Sequence, residues 1–418
     1  MSIETRTSRT YLGRSARVVG PQEPPDPHDD PHARVRRGEM GQVLQNFTFN
    51  RFLKDPFNRM GQAIPNNDWK NVLGAVVGRA AAGAVNQAKI PGDDAMAMTR
   101  HLKQVAGIMG ADAVGIAPTL ADYIYSGGAR RTEEEQRIEA TTGETPEEIA
   151  RRYPYAVCTM VAWDYHMNRA HRSPIGDTAY HFGGQKAQLL QHALAGYIRE
   201  LGYEVRLGAA NTMPMMLLAG LGELGRNGLV ITEKFGPRAH PHVILTDMPL
   251  VPDRPIDIGV SDFCAICRKC AVSCPTNSIS HEGKKVINGV EKYAINWKTC
   301  YSLRPHMLSY WHNCMTCVAS CPYTKPNVWW RSLTVLALKT CPILLRPLLV
   351  RPLIWLDDRV WGAIPRPRVR WLGYDTGRPP GEPGCTVAGC SCGQGQPGTE
   401  SKTGLYPPLK ENARRFHQ

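Results

Sequence analysis

The chain has 418 residues, of which 42% are hydrophobic, and its formal net charge is +13 at pH 7. This size and hydrophobic content exclude a small disulfide-stapled domain and predict two or three domains with substantial cores. No run of 18 or more apolar residues occurs, so we expect no membrane-spanning helix. The positive residues are dispersed and no aromatic–basic pattern recurs, which argues against nucleic-acid binding.

Residues 1–60 are predicted to form an irregular segment, because prolines crowd positions 21–31. The first 38 residues are polar and rich in arginine, without the apolar stretch of an export signal. The sequence therefore predicts a cytoplasmic location, with peripheral membrane association left open.

A mixed α/β domain is predicted over 61–255, because candidate helices and strands alternate there. The spacing of apolar residues predicts helices at 94–109, 186–201 and 213–221, the first of them followed by Gly110. Another helix is expected to begin at Thr145-Pro146, inside a charged insert at 127–152. Short apolar runs predict strands at 113–117, 155–162 and 242–246.

Eight of the thirteen cysteines fall within residues 264–321: seven of them form two runs, and Cys300 stands before the second run. The first run has the spacing C-x2-C-x2-C-x3-C-P from Cys264 to Pro275, and the second has C-x2-C-x3-C-P from Cys314 to Pro322. This spacing is typical of thiolate-bound 4Fe-4S clusters, because a tight loop presents thiolates to several corners of one cubane. It predicts an electron-transfer protein.

Disulfides and structural zinc are the two alternatives for these cysteines. Disulfides are disfavoured because most of this long chain lacks cysteine, and because cysteines at such close spacing seldom reach bridge geometry. Zinc sites usually show two C-x2-C pairs separated by a loop, which is a different pattern.

The last cysteine of each run is expected to bind the cluster of the other run. This rule assigns one cluster to the four residues Cys264, Cys267, Cys270 and Cys321. It assigns the other cluster to Cys274, Cys300, Cys314 and Cys317, where Cys300 completes the set of eight ligands.

Residues 331–375 are predicted to be a packing segment and 376–418 a flexible tail rich in glycine, proline and cysteine, including Cys385, Cys390 and Cys392. Cys158 and Cys341 are expected to be small buried hydrophobes. Residues 332–356 alternate leucines with basic residues, which fits either short helices packed on the cluster domain or a patch that touches a membrane. Prolines at 342, 347 and 352 favour the short packed helices.

Two segments before the cysteine runs, Gly222-Glu-Leu-Gly-Arg-Asn-Gly228 and Phe235-Gly-Pro-Arg238, carry a family resemblance. Together with the runs, they resemble the cobalamin-dependent reductive dehalogenases, over roughly residues 95–360. The resemblance implies an α/β (α+β) fold, with a nitroreductase-like cobalamin and substrate domain over 61–255 and a ferredoxin-like domain with two 4Fe-4S clusters over 256–330. Family members pass electrons from the clusters to a corrinoid cobalt, cleave a carbon–halogen bond and release halide.

The resemblance also implies site residues. Tyr180 is expected to be the catalytic proton donor, with Tyr165 and His181 as alternatives, and Arg238 and Asn211 are expected at the substrate. His240 stands where the family often has a second basic residue, which would make the charge near the substrate depend on pH. The residues expected to bind the corrinoid are Met213, Gly225, Arg226, Asn227, Gly228 and Leu229; a turn that ends a helix is the alternative for the glycines.

The expected partners are a small organohalide and either an acidic electron donor, such as a ferredoxin or flavodoxin, or a membrane-associated donor. Two other functions remain open. One is an epoxyqueuosine reductase, which would use the same cofactors on transfer RNA, and the other is a non-catalytic electron carrier. The sequence leaves the oligomeric state open.

Overall fold

The computed structural model describes residues 12–26, 83–126, 144–171, 174–302, 313–326 and 329–361, together with the backbone of 370–371 and 374–375. The predicted tail with its three cysteines, most of the predicted irregular segment and part of the charged insert lie outside the described residues.

The described strands are β1 Arg17–Val18, β2 Ala113–Pro118, β3 Tyr155–Ala162, β4 Val205–Leu207, β5 Glu223–Leu224, β6 Val230–Ile231, β7 Ala239–Thr246, β8 Lys285–Ile287, β9 Val290–Lys292, β10 Arg370–Trp371 and β11 Tyr374–Asp375. The described helices are α1 Ala95–Ile108, α2 Pro146–Arg152, α3 Tyr165–Arg169, α4 Pro174–Glu200, α5 Thr212–Leu218, α6 Val260–Ile266, α7 Lys269–Val272, α8 Trp297–Ser302, α9 Thr316–Ser320, α10 Trp329–Thr340 and α11 Arg346–Trp361. Short 3-10 turns lie at Ala121–Tyr123, Pro322–Thr324 and Ile343–Leu345.

An antiparallel sheet of order β2-β3-β7-β4 organises the mixed α/β region. Successive residues of β3 point to opposite faces of the sheet. Val157 packs with Leu194 of α4 and Leu102 of α1 on one face, whereas Cys158 packs with Met215 of α5 on the other. The sheet is therefore covered by helices on both faces, and the mixed α/β architecture predicted for this region is confirmed.

Local sequence signals explain several boundaries. The carboxylate of Asp94 accepts a hydrogen bond from the Ala97 N–H at the start of α1, and Gly110 adopts a φ of +105° just after its end. Thr145 and Glu148 form a capping box at the start of α2. Strand β3 has the predicted bounds, whereas α4 begins at Pro174 rather than at 186.

The first described residues pack onto the region of the cysteine runs. Strand β1 pairs with β9 in a three-stranded sheet of order β1-β9-β8. Arg14 donates to Asp262 at 2.8 Å, and Ser15 accepts a hydrogen bond from the Leu224 N–H. The segment predicted as irregular thus contains an ordered strand at Arg17–Val18.

The C-terminal described region is a pair of helices, α10 and α11, joined by the 3-10 turn. Their buried side chains, Val335, Leu338 and Val350, belong to the same apolar cluster as Cys264, Cys267 and Cys321. Residues 332–356 therefore lie in two helices and a turn packed beside the cysteines, but Pro352 lies inside α11 and does not break it. Within the part of the chain that the structure describes, no helix is long and apolar enough to cross a membrane.

Candidate iron–sulfur and corrinoid site

The cysteine runs lie on short helices and the turns that follow them. Cys264 is in α6 and Cys270 in α7, and Cys274 follows α7 directly. Cys300 lies in α8 and Cys317 in α9, with Cys321 ending α9. Helices this short let the chain turn several times around a small volume, so that cysteines distant in sequence face each other.

The structure brings four thiols together in what we call the first thiol group: Cys264, Cys267, Cys270 and Cys321. Burial raises the pKa of Cys270 well above its usual value, and repulsion from the thiols of Cys264, Cys267 and Cys321 raises it further, followed by a contribution from Cys317 of the second group. Burial also raises the pKa of Cys267 to about 12, with Cys264 adding to the shift. The first three cysteines of the first run thus lie close to Cys321, the last cysteine of the second run.

A second thiol group comprises Cys274, Cys300, Cys314 and Cys317. Burial raises the pKa of Cys317 well above its usual value, and the thiols of Cys300, Cys314 and Cys274 raise it further, in that order. This group receives its fourth thiol from the first run. The two groups have the composition that the crossing rule for paired clusters expects.

The thiol groups fit a metal cluster by their chemistry. Several buried thiols cannot ionise side by side unless a cation compensates their charge, and bound iron supplies that compensation. All ten cysteines of the described residues are free of disulfides. No three His, Cys, Asp or Glu side chains among those residues are grouped closely enough to hold one metal ion. A four-iron cluster needs wider spacing, because each thiolate binds a separate corner.

The two thiol groups face different surroundings. Cysteines of the first group pack in an apolar cluster with α10 and α11. Cys317 of the second group packs instead against a buried apolar cluster of Trp163, Ala179 and Val318, and Tyr180 and Leu229 pack against the same cluster. The second group therefore adjoins residues that the sequence assigned to catalysis and to the corrinoid.

A buried ion cluster links the first thiol group to α11. Lys269, which lies between Cys267 and Cys270, is fully buried, and its Nζ donates to Asp357 and lies 2.7 Å from Asp358 Oδ1. Burial alone would lower the pKa of Lys269, but the two carboxylates outweigh it and hold the pKa above its usual value. Lys325 completes the cluster, with its Nζ 3.9 Å from Asp357; burial lowers its pKa, and Asp357 partly opposes this.

Arg226 is directed at the region of the cysteine runs. Its guanidinium donates two hydrogen bonds to the Cys264 carbonyl, at 3.1 and 2.8 Å, and one each to the carbonyls of Ser280 and Glu282. The cation also lies 4.0 Å from the ring centroid of Tyr293. The side chain of Arg226 thus fixes the backbone around the first thiol group, and its assignment to the corrinoid stays a prediction.

The predicted corrinoid segment 225–229 forms the loop between β5 and β6. The Gly225 N–H donates to the Leu229 carbonyl, and Gly228 adopts a φ of +71°. The amide Nδ2 of Asn227 is buried with no hydrogen-bond partner within the protein. This loop is the turn of a hairpin formed by β5 and β6. The alternative prediction for the glycines, a turn that ends a helix, is therefore wrong.

Tyr180 and His240 lie in contact. Their ring centroids are 4.5 Å apart, Trp163 packs against both rings, and His240 Nε2 is 2.7 Å from the Tyr180 carbonyl oxygen. Although part of the His240 ring remains accessible, the desolvation by surrounding protein lowers its pKa to about 4. His240 is therefore neutral near pH 7, so the pH-dependent charge expected at this position is absent in the neutral range.

The guanidinium of Arg238 lies near the ring of Tyr165. The guanidinium carbon lies 5.8 Å from the Tyr165 ring centroid. Burial lowers the pKa of Arg238, against the attraction of Asp164 and Asp112. Its Nε is buried without a hydrogen-bond partner, and so is the nearby Trp163 Nε1. Such groups are costly unless another molecule satisfies them.

Asn211 and Met213 lie at the start of α5. Asn211 is the N-cap residue, although its side chain accepts no capping bond, and its backbone N–H donates to the Tyr123 carbonyl. Met213 is partly buried against the core on that face of the sheet. Neither side chain is brought into contact with Tyr180 by an observed interaction.

Trp163 and the Lys269–Asp357 cluster are the features that the sequence prediction missed. Lys269 and Asp357 are 88 positions apart and carry no shared local pattern. A signal was nevertheless present, since a lysine enclosed between two cluster cysteines is expected to be buried and therefore to need a carboxylate partner.

The fold and the two thiol groups define an α/β protein with an iron–sulfur domain. A family model described as a 4Fe-4S dicluster domain matches residues 263–325. Tetrachloroethene reductive dehalogenases of Desulfitobacterium hafniense and Sulfurospirillum multivorans are 31% and 29% identical to the chain over 271 and 265 residues. These matches cover 55% and 56% of this chain but only 49% and 52% of the relatives, so the chain spans about half of their length.

A solved reductive dehalogenase, whose structure suggests a mechanism for B12-dependent dehalogenation, is similar in fold. It matches with a TM-score of 0.65 and 23% identity, over 84% of this chain and 49% of that chain. The chain is thus similar to reductive dehalogenases in sequence over about half of their length, and similar in fold to one solved member.

The buried ion cluster gives the first prediction. Lys269→Met leaves the buried Asp357 with only its longer contact to Lys325, at 3.9 Å, so we expect the free energy of unfolding to fall by up to about 3–5 kcal/mol. Adding Asp357→Leu to this variant should recover only part of the loss, because it removes the uncompensated carboxylate but also takes the contact with Asp357 away from the buried Lys325. Urea unfolding followed by circular dichroism under anaerobic conditions measures both changes.

The control is Lys339→Met, which removes a half-exposed ion pair with Glu233. We expect it to cost less than about 1 kcal/mol. Equal costs for the Lys269 and Lys339 variants would contradict the role assigned to the buried cluster.

His240 gives the second prediction, on pH. Its folded pKa of about 4 lies below the unfolded value of 6.5, so the unfolded chain binds a proton between these values that the folded chain does not. The group therefore lowers stability as pH falls from 6.5 to 4, by up to about 3 kcal/mol. His240→Gln should flatten the fall in the free energy of unfolding over this range, whereas His101→Gln, at an exposed site, should leave it unchanged.

Proposed function

We propose that this chain is a reductive dehalogenase that passes electrons through two 4Fe-4S clusters to a corrinoid cobalt and cleaves a carbon–halogen bond. The observation that carries the proposal is the pairing of two four-thiol groups, one of which adjoins Trp163, Tyr180 and Leu229. Each turnover would consume two electrons and one proton, and would yield a carbon–hydrogen bond and a halide ion.

The proposed ligands of the clusters are the eight cysteines of the two thiol groups. The first group lies beside α10 and α11 and the second beside the catalytic candidates. Electrons received near the C-terminal helices would therefore cross from the first group to the second before reaching the reaction site. Arg226 would hold the Cys264 segment in place along this route.

The α/β region would form a nitroreductase-like domain that holds the corrinoid. A bound corrinoid supplies the reducing cobalt centre for cleavage of the carbon–halogen bond. The residues present fit a large polar cofactor or its substrate, because Asn227 Nδ2, Trp163 Nε1 and Arg238 Nε are buried donors that no protein group satisfies. We assign the corrinoid to Met213 and the 225–229 loop, and the substrate to Asn211 and Arg238.

Tyr180 is the proposed proton donor, because it contacts His240 and packs against the same apolar cluster as Cys317 of the second thiol group. Its hydroxyl would give a proton to the carbon that loses halide. Tyr165 is the second candidate on a separate observation, since the Arg238 cation over its ring would stabilise the phenolate that remains.

The proposed substrate is a small organohalide, and the proposed electron donor is either an acidic protein or a membrane-associated molecule. A cytoplasmic location remains our expectation from the sequence. A corrinoid enzyme acting on transfer RNA would share the cofactors, and a simple electron carrier would share only the clusters.

Anaerobic reconstitution tests the cofactors and the activity together. The full chain should retain about eight irons, as two four-iron clusters require, and one cobalt per chain, and it should release halide from a panel of organohalides when reduced. Cys274→Ser should lower the iron content and bleach the cluster absorbance. Cys341→Ser, which removes a lone thiol outside both groups, should change neither.

Three results would contradict the proposal in different ways. Absence of bound cobalt would leave an electron carrier, and turnover of modified transfer RNA without halide release would indicate the alternative enzyme. Retention of zinc rather than iron would contradict both the dehalogenase and the electron carrier, because each needs iron–sulfur clusters.

Tyrosine variants test the proton donor. We expect Tyr180→Phe to lower the rate of halide release at least a hundredfold, since general acid catalysis contributes about 10²–10⁴-fold, while iron and cobalt contents stay unchanged. Tyr197→Phe, whose hydroxyl contacts His101 at the surface, is the matched control. Loss of activity in Tyr165→Phe with normal activity in Tyr180→Phe would transfer the role to Tyr165.

A further inference from the structure

The outward faces of α10, the turn Ile343–Leu345 and α11 are unusually apolar. Among the described residues, ten of the 21 large hydrophobic side chains that are exposed lie within 329–361. We call these the apolar patch: Trp329, Leu333, Leu336, Ile343, Leu344, Leu345, Leu348, Trp355, Leu356 and Val360. Leu344 is 90% exposed, Trp329 76% and Leu348 70%, so this apolar surface is not part of the core.

Both helices that carry the apolar patch also have a buried face. Helix α10 already buries Arg331, Val335 and Leu338, and α11 already buries Arg346, Val350 and Asp357. The exposed residues lie between these positions, on the opposite faces of the same helices. A contiguous exposed apolar surface on a folded protein usually marks a site of association.

The exposed charges within 329–361 are all positive, although Lys339 is paired with the half-exposed Glu233 outside this range. Within 329–361, the exposed charged side chains are Lys339, Arg351 and Arg359. Asp357 is buried and Asp358 is partly buried, and both lie at the Lys269 ion cluster. The surface thus combines leucine and tryptophan with positive charge.

We propose that the apolar patch lies on the surface of a lipid bilayer that contains anionic headgroups. Leucine and tryptophan side chains would enter the boundary between headgroups and acyl chains, while Arg351 and Arg359 would contact phosphate groups. No helix of the described residues is suited to cross the membrane, so the helices would lie along the interface. A second copy of the chain is a poorer occupant, because self-association would oppose like charges with no exposed acidic partner within 329–361.

The proposal is independent of dehalogenation, since it rests on the surface of α10 and α11 alone. Vesicle flotation tests it with the full-length, reconstituted protein. We expect the protein to float with vesicles of phosphatidylglycerol and phosphatidylcholine, and less with phosphatidylcholine alone. High salt should weaken the first binding, because it screens the cationic side chains.

Two sets of variants separate the apolar and the charged contributions. Leu344→Gln/Leu348→Gln/Trp355→Gln should reduce vesicle binding at least tenfold, whereas Val286→Gln/Ile287→Gln, at exposed apolar positions on β8, should have no effect. Arg351→Glu should weaken binding only to the anionic vesicles, with Arg100→Glu at an exposed position on α1 as its control.

A separate measurement locates the contact. Brominated lipids should quench part of the tryptophan emission, and Trp355→Phe should lose a share of that quenching. Unchanged flotation of the triple variant would overturn the proposal. It would also be overturned if the triple variant bound vesicles normally but changed from a dimer to a monomer in analytical ultracentrifugation, since the patch would then join two copies.

Discussion

The constraint on which the rest of this structure depends is the crowding of eight thiols in a small volume. Buried thiols resist ionisation, and each group of four would repel itself if its members ionised without a counter-charge. Metal binding supplies that counter-charge, so the free energy of binding iron becomes part of the free energy of folding this region. The short helices α6 to α9 follow from the same need, because longer helices could not turn the chain back often enough to gather the cysteines.

The α/β region and the cysteine region are joined by a few buried polar contacts. Arg226 reaches from the β5–β6 loop to the Cys264 carbonyl, and Glu223 accepts hydrogen bonds from the N–H groups of Ile258 and Val260. Burial raises the pKa of Glu223, against those backbone hydrogen bonds. Such contacts are directional, so they fix the position of the thiol groups relative to Trp163 and Tyr180 more closely than apolar packing alone would.

Local signals predicted much of this fold, and distant contacts explain the rest. The Asp94 cap, the Thr145–Glu148 capping box and the apolar run of β3 are contained in short stretches of sequence. The early start of α4 could not be predicted from the sequence, because the glycines at 176, 183 and 184 weaken the helical pattern. The reason for Gly183 is tertiary, since a Cβ there would lie 2.3 Å from Trp163 Cδ1. Cysteine spacing likewise predicted that the two runs would lie close together, whereas the Lys269–Asp357 contact could be identified only from the structure.

That contact also bears on the order in which the protein is assembled. Lys269 is made early, within the first cysteine run, and its counter-charge on α11 is made 88 residues later. Before α11 is synthesised, the Lys269 ammonium lacks its carboxylate partner, so its burial is unfavourable. The loop around the first thiol group is then not stable in its closed form. The cysteines would therefore stay accessible to iron and sulfide until α11 packs over Lys269.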